Sequence, residues 1–177
     1  QYLKSTSFAL FGQLSWKVSD AFTIQPGARL NYDKKEGFYE RKVFDSAGAP
    51  VLFGQTGAVR AAQLAVFSPQ LSAPSFDDWN FSYDLTASYK FAPDILGYAT
   101  YAKSFKTAGL NQNGLPTDAS NNPILSAGTI RPEDVNHFEG GLKSQPLERR
   151  VTLNLSAFRT DIKDYQATVT NGQLGVL

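Results

Sequence analysis

The feature that most constrains this chain is a strict alternation of apolar and polar residues over long stretches. From Trp79 to Phe91 every odd position is apolar and every even position, from Asn80 to Lys90, is polar. Such alternation predicts a β-strand with one apolar and one polar face. Similar stretches run over residues 8–18 and 22–32, and weaker ones over 95–106, 134–144 and 150–163. The sequence therefore predicts about six long strands, with a bulge or a missing hydrogen bond at Pro26.

The length of these strands separates two fold classes. The three clearest stretches are 11 to 13 residues long, about twice the mean of roughly 5–6 residues in soluble proteins. A strand that crosses a membrane at a tilt needs roughly 9–11 residues. The lengths therefore favour transmembrane β-strands over the half-buried strands of a soluble antiparallel sandwich, which remains the alternative because its strands also alternate.

The connections between the strands alternate between short and long. Residues 19–21, 92–94 and 145–149 are short connections, whereas residues 33–78 and 107–132 are long. Up-and-down membrane barrels place short turns on one side of the membrane and long loops on the other. Aromatic residues lie near both ends of the strands, as in the two interfacial girdles of such barrels: Trp16, Phe22, Tyr89, Phe91, Tyr32 and Trp79. We therefore predict an all-β, antiparallel up-and-down meander that is a segment of a transmembrane β-barrel.

Composition excludes several other classes of function. The net charge is +1 and no basic run is present, which argues against a nucleic-acid-binding protein. The chain has no cysteine, so disulfide scaffolds, Cys-ligated zinc and thiol catalysis are excluded. No apolar run approaches the roughly 18 residues of a transmembrane helix. We find no sequence motif of an enzyme or a nucleotide-binding loop, and we predict no enzymatic activity, cofactor or metal site.

Candidate functional residues fall into two groups. The first group would line the inner wall of the barrel, because Arg or Lys facing lipid costs about 2–4 kcal/mol at the midplane; its members are Arg29, Asp84, Lys90, His137, Glu139 and Lys143. Cross-strand pairing that only fixes register is the favoured role for these charges, and a hydrogen-bonded wall position is favoured for His137. The second group would bind a ligand from the long loops or the lumen; its members are Lys103, Phe105, Asn111, Asn113 and Arg131.

Four segments resemble the β-barrel of TonB-dependent outer-membrane receptors. Residues 96–106 are similar to a strand of this family that ends in a small, an aromatic and a basic residue, although Ser104 stands where glycine is usual. Residues 131–144 contain a Pro-Glu pair and a Phe-Glu-Gly-Gly-Leu-Lys run that resemble the next strand. Residues 153–166 and 27–32 look like two further strands of these barrels, in the same order along the chain.

The resemblance implies that residues 1–177 are an internal part of a receptor barrel, without the plug domain and the TonB box. It implies an outer-membrane transporter of a scarce solute, of the iron–siderophore, cobalamin or glycan type. Expected partners are outer-membrane lipid and lipopolysaccharide, the solute, and the TonB–ExbB–ExbD complex acting through the plug. A passive porin-type channel and a soluble β-sandwich binding module remain the alternatives.

Overall fold

The chain forms one continuous antiparallel sheet in the computed structural model, which describes residues 1–52, 68–112, 114–120 and 122–167. Six long strands follow one another in chain order across the sheet, so each long strand pairs with its neighbours in sequence. These strands are β1 (Tyr2–Gln13), β3 (Phe22–Arg41), β5 (Ser75–Ala92), β6 (Ile95–Lys106), β9 (Glu133–Ser144) and β10 (Leu153–Lys163). Two short strands join the same sheet through β3: β2 (Trp16–Lys17) and β4 (Gln70–Ser72).

The loop that follows β6 carries its own small elements. Strands β7 (Gly109–Leu110) and β8 (Thr129–Ile130) pair with each other, and a 3-10 turn (Leu125–Gly128) lies between them. In the described part of the chain no helix is long and apolar enough to cross a membrane. The predicted all-β meander of six long strands is therefore confirmed, and the described strands do not form the two packed sheets of a sandwich.

The strand bounds differ from the prediction mainly at the long-loop end of the sheet, the end away from the short turns. Strand β3 continues to Arg41, as expected for a strand that extends beyond the membrane, and β5 begins at Ser75. Of the two alternatives predicted at Pro26, the missing hydrogen bond is the one found. The Leu14 N–H donates to the Pro26 carbonyl at 3.0 Å, but proline has no N–H to return a bond, and the neighbouring strand is interrupted at residues 14–15. No bulge forms at Pro26, since β3 pairs with β5 through it without a shift; the register shift lies between Lys90 and Ala92.

The register gives the sheet two chemically different faces. Residues directly opposite each other on neighbouring antiparallel strands share a face. Leu85 pairs with Pro26 and Tyr101, and Tyr101 pairs with Phe138; this side is called the apolar face. Thr86 pairs with Gln25 and with Thr100, and Thr100 in turn pairs with Glu139. This side is called the polar face.

The buried residues lie at the long-loop end. Val51, Ala108 and Leu115 are the buried apolar residues of the described chain, and all three belong to the long loops. Large side chains of the apolar face stay exposed instead, including Leu85 at 47% and Phe81 at 56%. Apolar side chains that no protein core covers are typical of a sheet face that lies against lipid.

Replacing Leu85 by Arg should impair assembly of the intact barrel, whereas Thr86→Arg should be much milder. An arginine facing lipid near the midplane costs about 2–4 kcal/mol, and an arginine facing a polar interior does not. The measurement is the fraction of folded, heat-modifiable protein in the outer-membrane fraction. Equal losses for the two variants would contradict the assignment of the faces.

Candidate functional site

A hydrogen-bonded cluster occupies the polar face on β6, β9 and β10. The Tyr98 hydroxyl donates to Glu139 Oε1, and His137 Nε2 lies 3.5 Å from Glu139 Oε2. His137 Nδ1 lies 2.9 Å from the Thr160 hydroxyl, and the Lys143 ammonium lies 5.3 Å from the centre of the Tyr98 ring. These contacts join three strands across the polar face. The roles expected from the sequence, cross-strand pairing for Glu139 and Lys143 and a hydrogen-bonded wall position for His137, stay predictions.

Gly141 makes room for this cluster. A Cβ atom at position 141 would lie 2.5 Å from a ring carbon of Tyr98, which faces it across the pair of strands. Any larger residue would push the Tyr98 ring away from Glu139. The packing of the Tyr98 ring on the polar face therefore explains one glycine of the Gly-Gly pair in β9, Gly141.

A shallow depression lies beside the cluster, between β1 and β6. Its volume is about 370 Å³, and its lining includes Phe11, Arg29, Asp84 and Ser104. The Arg29 guanidinium lies 5.3 Å from the centre of the Phe11 ring and donates from Nε to Asn31. Within the described residues the Asp84 carboxylate has no hydrogen-bonding partner, so it remains able to accept a bond from a group outside this chain.

The two long loops pack together on the end of β3 and form a unit that we call the loop cap: residues 37–52, 68–74, 107–112, 114–120 and 122–130. Gln70 is 3% exposed and makes two hydrogen bonds to the backbone of Leu115, donating from Nε2 to the carbonyl at 2.7 Å and accepting from the N–H at 2.8 Å. The Gly37 N–H donates to the Pro74 carbonyl, and the Arg41 Nε donates to the Ser68 carbonyl. The loops are thus ordered by bonds between them.

The loop cap carries two tips of the same construction. Asp45 Oδ1 accepts hydrogen bonds from the backbone of Ala47 and Ala49, and Asp118 Oδ1 accepts them from Ser120 and Asn122. Each tip is closed by a bridge to a proline, which joins Phe44 to Pro50 in one and Thr117 to Pro123 in the other. The N–H of Asn122, helped by that of Ser120, holds the pKa of the Asp118 carboxyl below its ordinary value.

The predicted ligand-binding residues of the loop separate into different positions. Asn111 is 2% exposed and its N–H donates to the Gly128 carbonyl, so this residue helps to hold the loop cap together. The Arg131 side chain is 84% exposed, with one guanidinium nitrogen 3.6 Å from Asp164. Asn113 lies outside the described residues.

Lys103 and Phe105 do not lie on the predicted face. Lys103 pairs with Tyr83 and Asn136, and Phe105 pairs with Asp134, which places both residues on the apolar face. Their predicted position in the lumen is therefore wrong. The physical reason is that successive side chains of residues 101–106, which resemble the family motif, point to opposite faces of the sheet. The basic residue on the polar face is therefore Lys106 and not Lys103.

Two lysines lie on the polar face at the long-loop end. The Lys35 ammonium donates to the Ala108 carbonyl at 2.9 Å and lies 5.6 Å from the Phe76 ring. Lys106 contacts Glu133 at 3.0 Å, a carboxylate that also accepts a bond from the Gln166 N–H. The same face also carries Asp33, Asp78 and Asp84, so these cations lie among carboxylates and the charge there is mixed. The sequence suggested Lys35 for an anionic iron chelate only as a loop residue; the alternation of side chains along β3 and β6 would have placed both lysines on the polar face.

The polar face offers hydrogen-bonding and charged groups. No group of three or more His, Asp or Glu side chains in the described ranges is arranged to hold a metal ion. The arrangement provides a polar wall, a depression and side chains of both charges. Such a surface can bind and orient a solute or a protein segment by hydrogen bonds and charge.

Comparisons with known proteins agree on one family. The model of the family described as TonB dependent receptor-like, beta-barrel, matches residues 1–176. The catecholate siderophore receptors Fiu of Escherichia coli O6:H1 (strain CFT073) and of Escherichia coli O157:H7 are each 26% identical over 162 residues. This match covers 91% of the chain and 20% of each relative, so the chain spans about a fifth of the length of the curated relatives that it matches.

Solved structures share the fold. The ferric yersiniabactin uptake receptor FyuA of Yersinia pestis aligns with a TM-score of 0.64 and 23% identity, over 98% of this chain and 23% of that receptor. The closed form of the ferric-catecholate import receptor Fiu of E. coli K12 aligns with a TM-score of 0.66 and 21% identity, over 98% and 24% of the two chains. The six described long strands therefore correspond to part of a closed barrel, as the strand lengths predicted.

Replacing Gln70 by Leu should loosen the loop cap without unfolding the strands. The substitution leaves the buried N–H and carbonyl of Leu115 without partners, which costs about 1–3 kcal/mol. Amide hydrogen exchange at residues 108–116 of the intact protein should become about tenfold faster or more. Gln25→Leu on the polar face is the matched control, because the Gln25 side chain donates to the hydroxyl of the exposed Ser15 and not to a buried backbone group. Unchanged exchange in Gln70→Leu would contradict the role given to this side chain.

Proposed function

The chain belongs to the TonB-dependent receptor β-barrel family, and we propose that the intact protein that contains it takes up an iron–siderophore across the bacterial outer membrane. Members of this family are outer-membrane receptors and transporters rather than enzymes. The chain accordingly lies in the outer membrane, with its apolar face against lipid. The polar face then lines the inside of the barrel, and the loop cap lies outside the membrane.

The choice of solute is supported first by the relatives of this chain: Fiu is a catecholate siderophore receptor and FyuA takes up ferric yersiniabactin. It is supported second by Lys35 and Lys106, which lie on the polar face at the long-loop end. A ferric complex of deprotonated catechol groups is an anion, and an ammonium group at the entrance attracts an anionic solute.

The barrel wall has a passive part in this proposal. The cluster around Glu139 keeps three strands in register, and the depression near Asp84 offers an unpaired carboxylate to a segment inside the barrel. That segment is a plug domain outside this chain, on which the TonB–ExbB–ExbD complex pulls at the expense of the proton-motive force. The solute then moves when the plug moves, and no bond is made or broken in the solute.

Replacing Lys35 by Gln should weaken binding of a ferric catecholate complex to the intact receptor about three- to tenfold. Glutamine keeps a donor for the Ala108 carbonyl but removes the charge, whose attraction at partly exposed positions is worth about 1 kcal/mol. The measurement is a fluorescence-quenching titration of the purified receptor. Lys90→Gln, at the short-turn end of the same face, is the matched control. Equal affinities of the two variants would contradict the role proposed for Lys35.

Uptake of radiolabelled iron by cells that carry the intact receptor should stop when a protonophore collapses the proton-motive force. It should also saturate with increasing concentration of the ferric complex. A passive porin-type channel predicts the opposite, because diffusion through an open pore rises linearly with concentration and needs no energy. Linear uptake that continues in the presence of the protonophore would contradict active transport and favour the passive channel.

A further inference from the structure

A second depression lies on the polar face at the short-turn end, opposite to the loop cap, and we call it the inner-end depression. Its volume is about 430 Å³, within the range of roughly 300–1,000 Å³ found for pockets that hold small molecules. Lys90, Leu96, Lys143 and Asn154 line it and lie directly opposite one another on β5, β6, β9 and β10. Neighbouring strands are about 4.8 Å apart, so the backbones of the two lysines are about 10 Å apart.

Both lysines of the inner-end depression are without a carboxylate partner. Their side chains are exposed, and neither forms an ion pair with another of the described residues. The Lys143 ammonium lies 5.3 Å from the centre of the Tyr98 ring, but an ammonium group has three N–H donors, and this contact does not saturate them. Asp94, the carboxylate at the rim, is held by Arg149, whose Nε lies 2.8 Å from Asp94 Oδ1. Two ammonium groups therefore remain able to bind an anion.

The charge of the polar face changes along the strands. From the row of Glu139 toward the long loops, carboxylates lie among the cations. From that row toward the short turns, the polar face of the described strands carries Lys17, Lys90 and Lys143 and no carboxylate. An anion inside the barrel is therefore attracted toward the short-turn end. The turns themselves are close to balanced in charge and do not cancel this excess; their charged residues are Asp20, Asp94, Glu148, Arg149 and Arg150.

The rim of the inner-end depression has a fixed and unusual backbone. The register shift of β5 lies between Lys90 and Ala92, directly beside one of the two lysines, and bulges of this kind redirect neighbouring side chains. On the other side, residues 147–149 have φ angles of 55° to 65°, which residues other than glycine rarely adopt. The turn is held by the Gln145 N–H, which donates to the Asp94 carbonyl at 2.9 Å. Unusual backbone that the surrounding contacts hold in place is common at functional sites.

We propose that the inner-end depression binds the anionic ferric complex as it leaves the barrel, with catecholate oxygens against the ammonium groups of Lys90 and Lys143. The inference rests on the iron–siderophore proposal and on the periplasmic position of the short turns. Leu96 offers an apolar contact to a catechol ring, and the Asn154 amide offers a hydrogen-bond donor beside it. Exposed ammonium groups attract an anion only moderately in water, so this exit site draws the complex inward and still releases it.

Binding is measured on the intact receptor with the ferric tris(catecholate) complex as the probe. Radiolabelled complex is equilibrated with the purified receptor by dialysis, over concentrations that fill weak as well as tight sites. We expect two classes of site, of which the weaker one is the exit site. The weaker class should vanish when NaCl is raised to about 1 M, because salt screens exposed charges most strongly. A neutral ferric trihydroxamate complex should not fill it.

Double variants locate the weaker class of site. Lys90→Gln with Lys143→Gln should weaken it about tenfold or more, since both ammonium groups are lost. Lys17→Gln with Arg150→Gln removes the same charge from the same end of the sheet but leaves the inner-end depression intact, so we expect a change of less than about twofold. Lys90→Arg with Lys143→Arg keeps both charges and should retain binding. The tight class should be the same in all three double variants.

Uptake by cells separates an exit site from an anchor for the plug domain. The Lys90→Gln, Lys143→Gln receptor should show a maximal rate of iron uptake that is about threefold lower, because the attraction toward the inner end is lost. The concentration for half-maximal uptake should not change, since the loops capture the complex as before. Lysines that instead anchor the plug predict a leak, in which iron enters cells of this variant after a protonophore has collapsed the proton-motive force.

The outcomes are distinct. Weakening of the weaker class in the Lys90→Gln, Lys143→Gln receptor alone, without a leak, supports the exit site. Equal weaker affinities in this receptor and in the charge-matched control would overturn it, and so would a leak, since the lysines would then hold a protein segment. Absence of the tight class would contradict the proposed iron uptake and the exit site with it, whereas absence of the weaker class alone would contradict only the exit site.

Discussion

Backbone hydrogen bonding without water is the constraint on which the rest of this structure depends. In the hydrocarbon layer every N–H and carbonyl group needs a partner within the protein, and only helices and closed sheets provide it. The six long strands meet this need through an almost unbroken ladder, with one interruption opposite Pro26 and one shift near Lys90. The ladder fixes the register, and the register assigns every side chain to lipid or to the interior.

That assignment explains why the polar cluster and the apolar face lie back to back on the same strands. Glu139 and Phe138 are neighbours in β9, yet one joins the polar cluster and the other lies on the apolar face. A period of two residues lets a single strand serve two environments at once. The loop cap follows a different rule, because its buried Val51 and Leu115 pack as in an ordinary soluble core.

The sequence predicted the parts of the fold that follow from the period of two: the six long strands, the short turns and the apolar face. It predicted the site less well. Lys103 and Phe105 were grouped by a motif that ignores side-chain direction, and Asn111 was chosen as a polar loop residue although it is buried. The contacts of Gln70 with Leu115 join residues 45 positions apart, and such pairings leave no local signal in a sequence.

The two loop tips around Asp45 and Asp118 have a consequence for how this surface can change over time. Each tip is shaped by one aspartate that accepts two backbone bonds and by one proline that closes the turn. Residues between the aspartate and the proline of each tip, such as Ser46 and Ala119, are exposed. Substitutions at exposed positions usually change stability by less than about 0.5 kcal/mol, so the outline of these tips can vary while the strands below keep their register.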